Sequence, residues 1–273
     1  MYEAHWQLRA RPFESAIDGR NYYPSELHQG ALLRLRYAIE NRFSAALLVG
    51  PSGIGKTLIA QQLAAQLPES SGPLIHVVFP QMPADQLLAF LAGELTGDYS
   101  EQEPTVEQSV RRLRAALMDN AERGGHAVLI LDEAHLIRDP DTLETLRLLL
   151  NFQHQGRPTC TLLLVGLAPL LSTLQRLPEF DDRIDVKCLL PRFTLEQTMA
   201  YVSHRLHAAG AARHIFTIAA LEALHDASRG VPRRINRLAD LALLVGFAEE
   251  LPVIGPAQIE SVADELLVKN VDG

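Results

Sequence analysis

The fold of this 273-residue chain is decided by one stretch, Gly50-Pro51-Ser52-Gly53-Ile54-Gly55-Lys56-Thr57. It fits the phosphate-loop pattern G-x-x-x-x-G-K-[ST] and stands between an apolar run at 45–49 and a helix-like segment at 57–67. Glycines let successive backbone N–H groups turn inward around phosphate oxygens, Lys56 supplies a cation for the β- and γ-phosphates, and the Thr57 hydroxyl is a ligand for Mg²⁺. The helix that follows adds its N-terminus to the same anion site. The sequence therefore predicts a nucleoside triphosphate site, and Leu58 joins these eight residues in the predicted nucleotide-binding set.

A second motif lies downstream, where the apolar run 127–131 ends in two carboxylates, Asp132 and Glu133. This pattern is typical of a Walker B strand. Asp132 and Thr57 are expected to hold Mg²⁺, and Glu133 is expected to orient and deprotonate the attacking water, because phosphoryl transfer depends on positioning and on neutralising charge. Taken alone, this stretch could equally be a buried strand followed by a solvated acidic turn. The phosphate loop upstream favours the Walker B interpretation.

The order of apolar patterns predicts the fold class. Strand-like runs alternate with helical patterns, and they lie at 45–49, 74–79, 127–131, 159–165 and 184–189. This alternation is typical of a parallel sheet covered by helices on both faces. After residue 194 the strand signals stop, and four helical segments follow at 194–209, 217–229, 232–249 and 256–269. We therefore predict an α/β P-loop NTPase core with a five-stranded parallel sheet at 44–190, preceded by an N-terminal segment at 1–43 that packs near the nucleotide and followed by a small all-α lid domain at 191–273.

Composition narrows the class of protein. The formal net charge of −8 disfavours a polyanion as the main partner, so a nucleic-acid contact would need a local basic patch. The two cysteines, Cys160 and Cys188, lie in apolar runs without metal-ligand spacing, which indicates reduced core residues of a cytoplasmic protein. No signal-peptide pattern opens the chain, and no apolar stretch reaches the roughly 20 residues that span a bilayer. The expected location is the cytoplasm, with peripheral attachment to the inner membrane through a partner as an option.

An α/β nucleotide-binding core followed by a small helical domain resembles an AAA+ ATPase. By this resemblance Arg183, just before the last core strand, takes the place of the arginine finger that reaches the nucleotide of a neighbouring subunit. Arg233, which follows the Pro that starts a lid helix, takes the second sensor position and contacts the γ-phosphate from the same subunit. From the residues alone, Arg183 could instead pair with Asp181 or Asp182, and Arg233 could belong to a solvated helix face.

The resemblance becomes narrower at the N-terminus. The segments at 2–13, 22–25, 28–39, 144–152 and 230–236 are similar to the general secretion pathway protein A (ExeA) family. Long members append a transmembrane segment and a peptidoglycan-binding domain, so this chain resembles the short cytoplasmic form associated with mannose-sensitive haemagglutinin (MSHA) pilus biogenesis. The resemblance implies that the residues near the adenine are Tyr22, Tyr23 and His28. Packing of these side chains against the core is the open alternative.

One departure from the AAA+ pattern concerns the first sensor. AAA+ cores usually carry a polar residue at the tip of the fourth strand, whereas this chain has Leu167 after Gly166. A leucine can neither position water nor bond a phosphate. Hydrolysis is therefore expected to be slow or stimulated by a partner.

Three functional hypotheses follow. The leading one is an AAA+ ATPase that uses ATP and Mg²⁺ between subunits of a homo-oligomeric ring, for which a hexamer is one arrangement, to assemble or remodel a cell-envelope machine of type II secretion or pilus biogenesis. The second is an ATP-switched DNA-binding regulator of the transposition target-selection type, suggested by basic stretches at 34–42 and 229–237. The third is a nucleotide-binding scaffold with negligible turnover, suggested by Leu167. Salt-dependent binding to duplex DNA would distinguish the second, and an active site insensitive to Glu133→Gln would distinguish the third.

Overall fold

The computed structural model describes residues 1–14, 23–68, 71–99 and 104–268, and the predicted adenine neighbour Tyr22 lies outside these ranges. The chain divides into two compact units. The sheet unit comprises Glu26–Gly50 and Lys56–Leu190, and the helical unit comprises Met1–Ser25, Pro51–Gly55 and Pro191–Gly273. The middle of the phosphate loop thus belongs to the helical unit, whereas its flanking residues belong to the sheet unit.

A five-stranded parallel sheet forms the centre of the sheet unit. The strands in chain order are β1 Ala45–Val49, β2 Leu74–Val77, β3 Ala127–Leu131, β4 Gln153–His154, β5 Arg157–Pro158, β6 Cys160–Gly166 and β7 Ile184–Leu189. The main sheet has the order β2-β3-β6-β1-β7, with every pair parallel, and β4 and β5 form a separate antiparallel hairpin. The predicted fold class is confirmed. Since β6 lies between β1 and β3, the carboxyl ends of these three strands meet at one edge of the sheet.

Helices make up most of the remaining described chain. In chain order they are α1 Glu3–Trp6, α2 Glu26–Glu40, α3 Lys56–Gln66, α4 Ala84–Thr96, α5 Val106–Glu122, α6 Pro140–Leu149, α7 Pro169–Gln175, α8 Pro178–Asp181, α9 Leu195–Ala208, α10 Ile218–Ser228, α11 Pro232–Ala248 and α12 Pro256–Val268, with a 3₁₀ turn at Ala134–Leu136. Capping boxes at Thr105 and Thr194 fix the starts of α5 and α9. The four helices after residue 194 lie within one residue of their predicted bounds.

The core of the sheet unit follows from its strand composition. Every residue of β1, β3 and β6 is buried, because helices cover both faces of a parallel sheet. Both cysteines are buried and free, as expected. Strand β2 is shorter than predicted. The Asp132 N–H donates to the carbonyl of Val77, the last residue of β2, at 2.9 Å. Beyond Val77 the chain leaves the sheet, and the side chains of Val78 and Phe79 are exposed.

In the helical unit, residues of the N-terminal segment are held by contacts with two of the helices. The Trp6 ring is fully buried, its indole N–H donates to the Leu243 carbonyl at 2.9 Å, and it packs against Gly246 of α11. The buried guanidinium of Arg205 donates to the backbone carbonyls of Pro12 and Glu14, at 2.6 and 2.9 Å. These contacts fix the described N-terminal residues to helices α9 and α11.

His126, immediately before β3, is expected to make the stability of the sheet unit depend on pH. Burial and the nearby Arg42 lower the pKa of His126 from about 6.5 to about 4, and its Nε2 lies 2.7 Å from the Thr161 hydroxyl. Because the unfolded chain binds a proton near pH 6.5 and the folded chain only near pH 4, this contribution is fully present above pH 6.5 and is lost as the pH falls through that window. Between pH 7 and pH 5 the free energy of unfolding should fall by about 2 kcal/mol from this group.

Urea unfolding at the two pH values measures this loss. His126→Gln is the matched control, because the glutamine amide can still donate to Thr161 but does not titrate. An equal loss of stability in wild type and variant would contradict the role of His126.

Candidate functional site

The phosphate loop has the backbone that its glycines were expected to permit. Gly53 and Gly55 have φ angles of 77° and 106°, in the region that favours glycine. Lys56 begins α3 and is 6% exposed, and its ammonium donates to the Gly50 carbonyl at 3.1 Å. A lysine held by the loop's own backbone is fixed in place before a nucleotide arrives, which favours binding of phosphate.

The two residues predicted to hold the metal meet at the shared edge of the sheet. Thr57, in the first turn of α3, donates its hydroxyl to Asp132 Oδ2 at 2.7 Å, and the Glu133 N–H donates to Asp132 Oδ1 at 2.8 Å. Burial pushes the pKa of Asp132 upward, but contacts with His76, Thr57 and the Glu133 amide outweigh it and hold the pKa below its usual range. The carboxylate is therefore ionised at neutral pH.

This pair of oxygen ligands fits Mg²⁺. Hydroxyl and carboxylate oxygens are the hard donors that Mg²⁺ prefers, and Mg²⁺ usually takes only one or two of them from the protein and the rest from water and phosphate. Across the described ranges, no cluster of three or more His, Cys, Asp or Glu side chains forms a complete metal cage.

Glu133 stands in a strained backbone conformation directly after Asp132. Its φ and ψ of 52° and 30° are left-handed, which costs a non-glycine residue roughly 1–3 kcal/mol and is common at functional sites. Its side chain is 45% exposed, and Oε2 lies 3.3 Å from His135 Nδ1. Sequence reasoning missed this histidine, although it follows Glu133 by only two residues, because a contact between residues i and i+2 depends on the left-handed turn at Glu133.

At the tip of β6, the structure places the backbone of the 3₁₀ turn close to the strand. A Cβ on Gly166 would lie 3.2 Å from the backbone N of His135 and 2.9 Å from Leu170, so a side chain here would crowd the turn. Leu167 follows directly and is half-buried. The Gly166 carbonyl accepts a hydrogen bond from the Gly50 N–H at 3.2 Å, which ties the strand tip to the start of the phosphate loop.

In the helical unit, the start of α11 contacts the phosphate loop. The Arg233 N–H donates to the Gly53 carbonyl at 3.2 Å, and a Cβ on Gly53 would lie 2.8 Å from Arg233 Cβ. The start of α11 thus contacts Gly53 within the helical unit, and the second-sensor role of Arg233 stays a prediction. No ion pair engages its guanidinium within the described ranges.

Arg183 is not paired as the sequence suggested. Its guanidinium donates to Asn151 Oδ1 at 3.1 Å, while Asp181 forms an ion pair with Lys187 at 2.6 Å. Within the described ranges, no ion pair joins Arg183 to Asp181 or Asp182, so the contacts do not support that alternative. Among the described contacts, Arg183 touches neither the phosphate loop nor the Walker B carboxylates.

Tyr23 lies in an aromatic cluster of the helical unit. Its ring centroid is 6.2 Å from Phe193, 5.5 Å from Tyr201 and 5.1 Å from His204. His28 is buried on α2 in the sheet unit. Whether Tyr23 also contacts an adenine stays a prediction.

Sequence comparison gives a matching family model and a curated relative. Residues 41–174 match the family model described as an AAA domain. General secretion pathway protein A of Aeromonas hydrophila is 32% identical over 251 residues, which cover 91% of this chain and 45% of that protein. This chain therefore spans less than half the length of the curated relative that it matches.

Solved structures share the fold at low identity. Cdc6p from Pyrobaculum aerophilum has a TM-score of 0.72 at 18% identity, covering 93% of this chain and 70% of that one. The Drosophila ORC structure bound to DNA gives 0.71 at 14% identity, with coverages of 97% and 66%. The Thermotoga maritima RuvB branch migration motor gives 0.56 at 20% identity, with coverages of 89% and 70%. Separately, none of the helices in the described ranges is long and apolar enough to cross a membrane.

Proposed function

Because the chain belongs to the general secretion pathway protein A (ExeA) family of AAA+ proteins, we propose that it binds and hydrolyses Mg-ATP at interfaces between copies of itself. The observation that carries this proposal is the 2.7 Å hydrogen bond between Thr57 and Asp132. It joins the phosphate-loop motif to the Walker B motif at one edge of the sheet. Neither motif alone would assemble a metal–nucleotide site.

Each residue of this site has a separate task. The loop from Gly50 to Lys56 holds the β- and γ-phosphates, and Thr57 and Asp132 hold Mg²⁺, which when bound neutralises charge on the phosphate oxygens. Glu133 takes a proton from the attacking water, whose oxygen forms the bond to the γ-phosphorus as ADP leaves. Arg233, placed against Gly53, stabilises the γ-phosphate from the same chain.

Arg183 acts on the nucleotide of a neighbouring subunit. Its guanidinium is hydrogen-bonded to the exposed, neutral amide of Asn151. Moving the guanidinium from this amide to a phosphate therefore breaks no ion pair with Asn151. An arginine finger supplied in trans makes turnover depend on assembly. This supports a homo-oligomeric ring with composite sites.

The proposed cellular role rests on the similarity to general secretion pathway protein A. We place the protein in the cytoplasm, where it drives assembly or remodelling of a cell-envelope machine through a protein partner at the inner membrane. Type II secretion and pilus biogenesis are the two settings that we propose, and a pilus ATPase of the MSHA biogenesis (MshM) type is the finer form of this proposal. The support is the name of the relative and the resemblance to its family.

Steady-state ATP turnover as a function of protein concentration tests the proposal. Turnover per subunit should rise with concentration and reach a plateau, because each site is completed only by a second subunit. The same titration without Mg²⁺ serves as a control and should give no turnover. ATP binding with negligible turnover at every concentration would contradict hydrolysis and favour a nucleotide-binding scaffold.

A further inference from the structure

The tip of β6 lacks a polar side chain where the site needs one. Leu167 occupies the position after Gly166, and its side chain can neither donate nor accept a hydrogen bond. A general base works only when its carboxylate is held in the correct orientation toward the water. A group near this tip that hydrogen-bonds to the Glu133 carboxylate would hold it in such an orientation.

His135 lies at this tip. A Cβ built on Gly166 would be 3.5 Å from His135 Cβ, so the glycine leaves room for the histidine to lie against the strand end. The His135 side chain is only 16% exposed. Its position is set by the 3₁₀ turn Ala134–Leu136, whose Leu136 N–H donates to the Glu133 carbonyl at 2.9 Å.

The imidazole has a buried nitrogen that nothing else satisfies. His135 Nδ1 is buried and has no hydrogen bond of good geometry within the described residues, yet it lies 3.3 Å from Glu133 Oε2. A buried polar atom without a partner is uncommon and calls for an explanation, of which a catalytic task is one. Hydrogen bonds at active sites are often long or misaligned before the substrate binds and become shorter afterwards.

We propose that His135 is the positioning residue for Glu133, and that it supplies at the tip of β6 the polar contact that Leu167 cannot make. This inference rests on the proposed role of Glu133 as the base. The imidazole donates its Nδ1–H to one carboxylate oxygen and leaves the other free for the water. The proton removed from water stays on Glu133, so His135 keeps its own proton throughout.

Two substitutions separate this role from a structural one. His135→Asn places an amide N–H close to the position of Nδ1, whereas His135→Leu fills a similar volume without a donor. Turnover should fall by about 10- to 100-fold in His135→Leu and stay within about threefold of wild type in His135→Asn, because misplacing a reacting group by about 1 Å costs about 100-fold. The dissociation constant for ATP should be unchanged in both, and His214→Leu, at an exposed histidine of the helical unit, is the control.

A second measurement does not depend on turnover. Urea unfolding of the nucleotide-free protein is compared for His135→Leu, Glu133→Ala and the double variant, because alanine leaves no acceptor for the imidazole. If the two side chains interact, His135→Leu should lower the unfolding midpoint less in the Glu133→Ala background than in wild type. Additive shifts, or turnover that is equal in the leucine and asparagine variants, would overturn the positioning role.

The two proposals fail in different ways. If Glu133→Gln abolishes turnover but His135→Leu does not lower it, the result supports Glu133 as the base, and the positioning role of His135 is wrong. If wild type hydrolyses ATP and Glu133→Gln does so equally well, the proposed role of Glu133 is wrong and that of His135 falls with it.

Discussion

Arg183→Ala is expected to lower steady-state ATP turnover by about 10³- to 10⁵-fold while leaving ATP binding unchanged. The reason is that Arg183 contacts no residue of its own nucleotide site among the described contacts, yet lies just before β7 with only a neutral amide as partner. A finger that works on a neighbour stabilises the transition state without contributing to binding in an isolated subunit. Turnover and ATP affinity, measured on the same preparation, check both parts, and Arg176→Ala at an exposed arginine is the matched control.

A mixing experiment shows whether Arg183 acts in trans. Lys56→Ala removes the phosphate-binding cation but keeps the finger, so each variant lacks what the other supplies. Mixed in equal amounts, the two inactive proteins should regain part of the wild-type turnover, because an Arg183→Ala site then meets an intact Arg183 from a Lys56→Ala subunit. No recovery in oligomers proven to contain both variants would contradict action in trans.

Glu133→Gln is expected to lower turnover by about 10²- to 10⁴-fold, the usual contribution of a general base, and to retain ATP binding. The amide fits the same space but cannot take a proton from water. The hydrogen bond between Thr57 and Asp132 does not involve the Glu133 side chain, so the predicted metal ligands should be undisturbed. Turnover of radiolabelled ATP and equilibrium binding of ATP provide the two measurements.

Two comparisons complete this prediction. Glu107→Gln, at an exposed glutamate paired with Arg111, should leave turnover unchanged. Lys56→Ala should lose binding as well as turnover, in contrast to Glu133→Gln. Full activity of Glu133→Gln would mean that the turnover does not use this base, and it would favour the scaffold hypothesis.

The sheet could be predicted from sequence because its strands are buried on both faces. Runs such as Ala45–Val49 and Ala127–Leu131 are continuously apolar and are bounded by polar residues or glycine, so their predicted bounds match the structure. Strand β2 lies at the sheet edge, where an apolar run no longer marks the length of pairing, and Val78 and Phe79 were wrongly included. The β4–β5 hairpin has two residues in each strand, which is too short to give a periodic signal.

Part of the candidate site was also predictable. The motif positions of Thr57 and Asp132 implied their meeting, since the ends of β1 and β3 lie at one edge. The contact between Glu133 and His135 was not predictable, because it depends on a left-handed residue that side-chain patterns do not reveal. The hydrogen bond from Arg183 to Asn151 joins residues far apart in sequence and leaves no pattern in it.

The close approach of Gly53 to Arg233 has a consequence for how such a sequence can change over time. A Cβ at position 53 would lie 2.8 Å from the Arg233 Cβ, and the φ of 77° independently disfavours any side chain there. Any side chain introduced at position 53 therefore meets an unchanged Arg233 about 180 positions away. We expect the chain to accept a residue other than glycine here only if the start of α11 moves away from the loop.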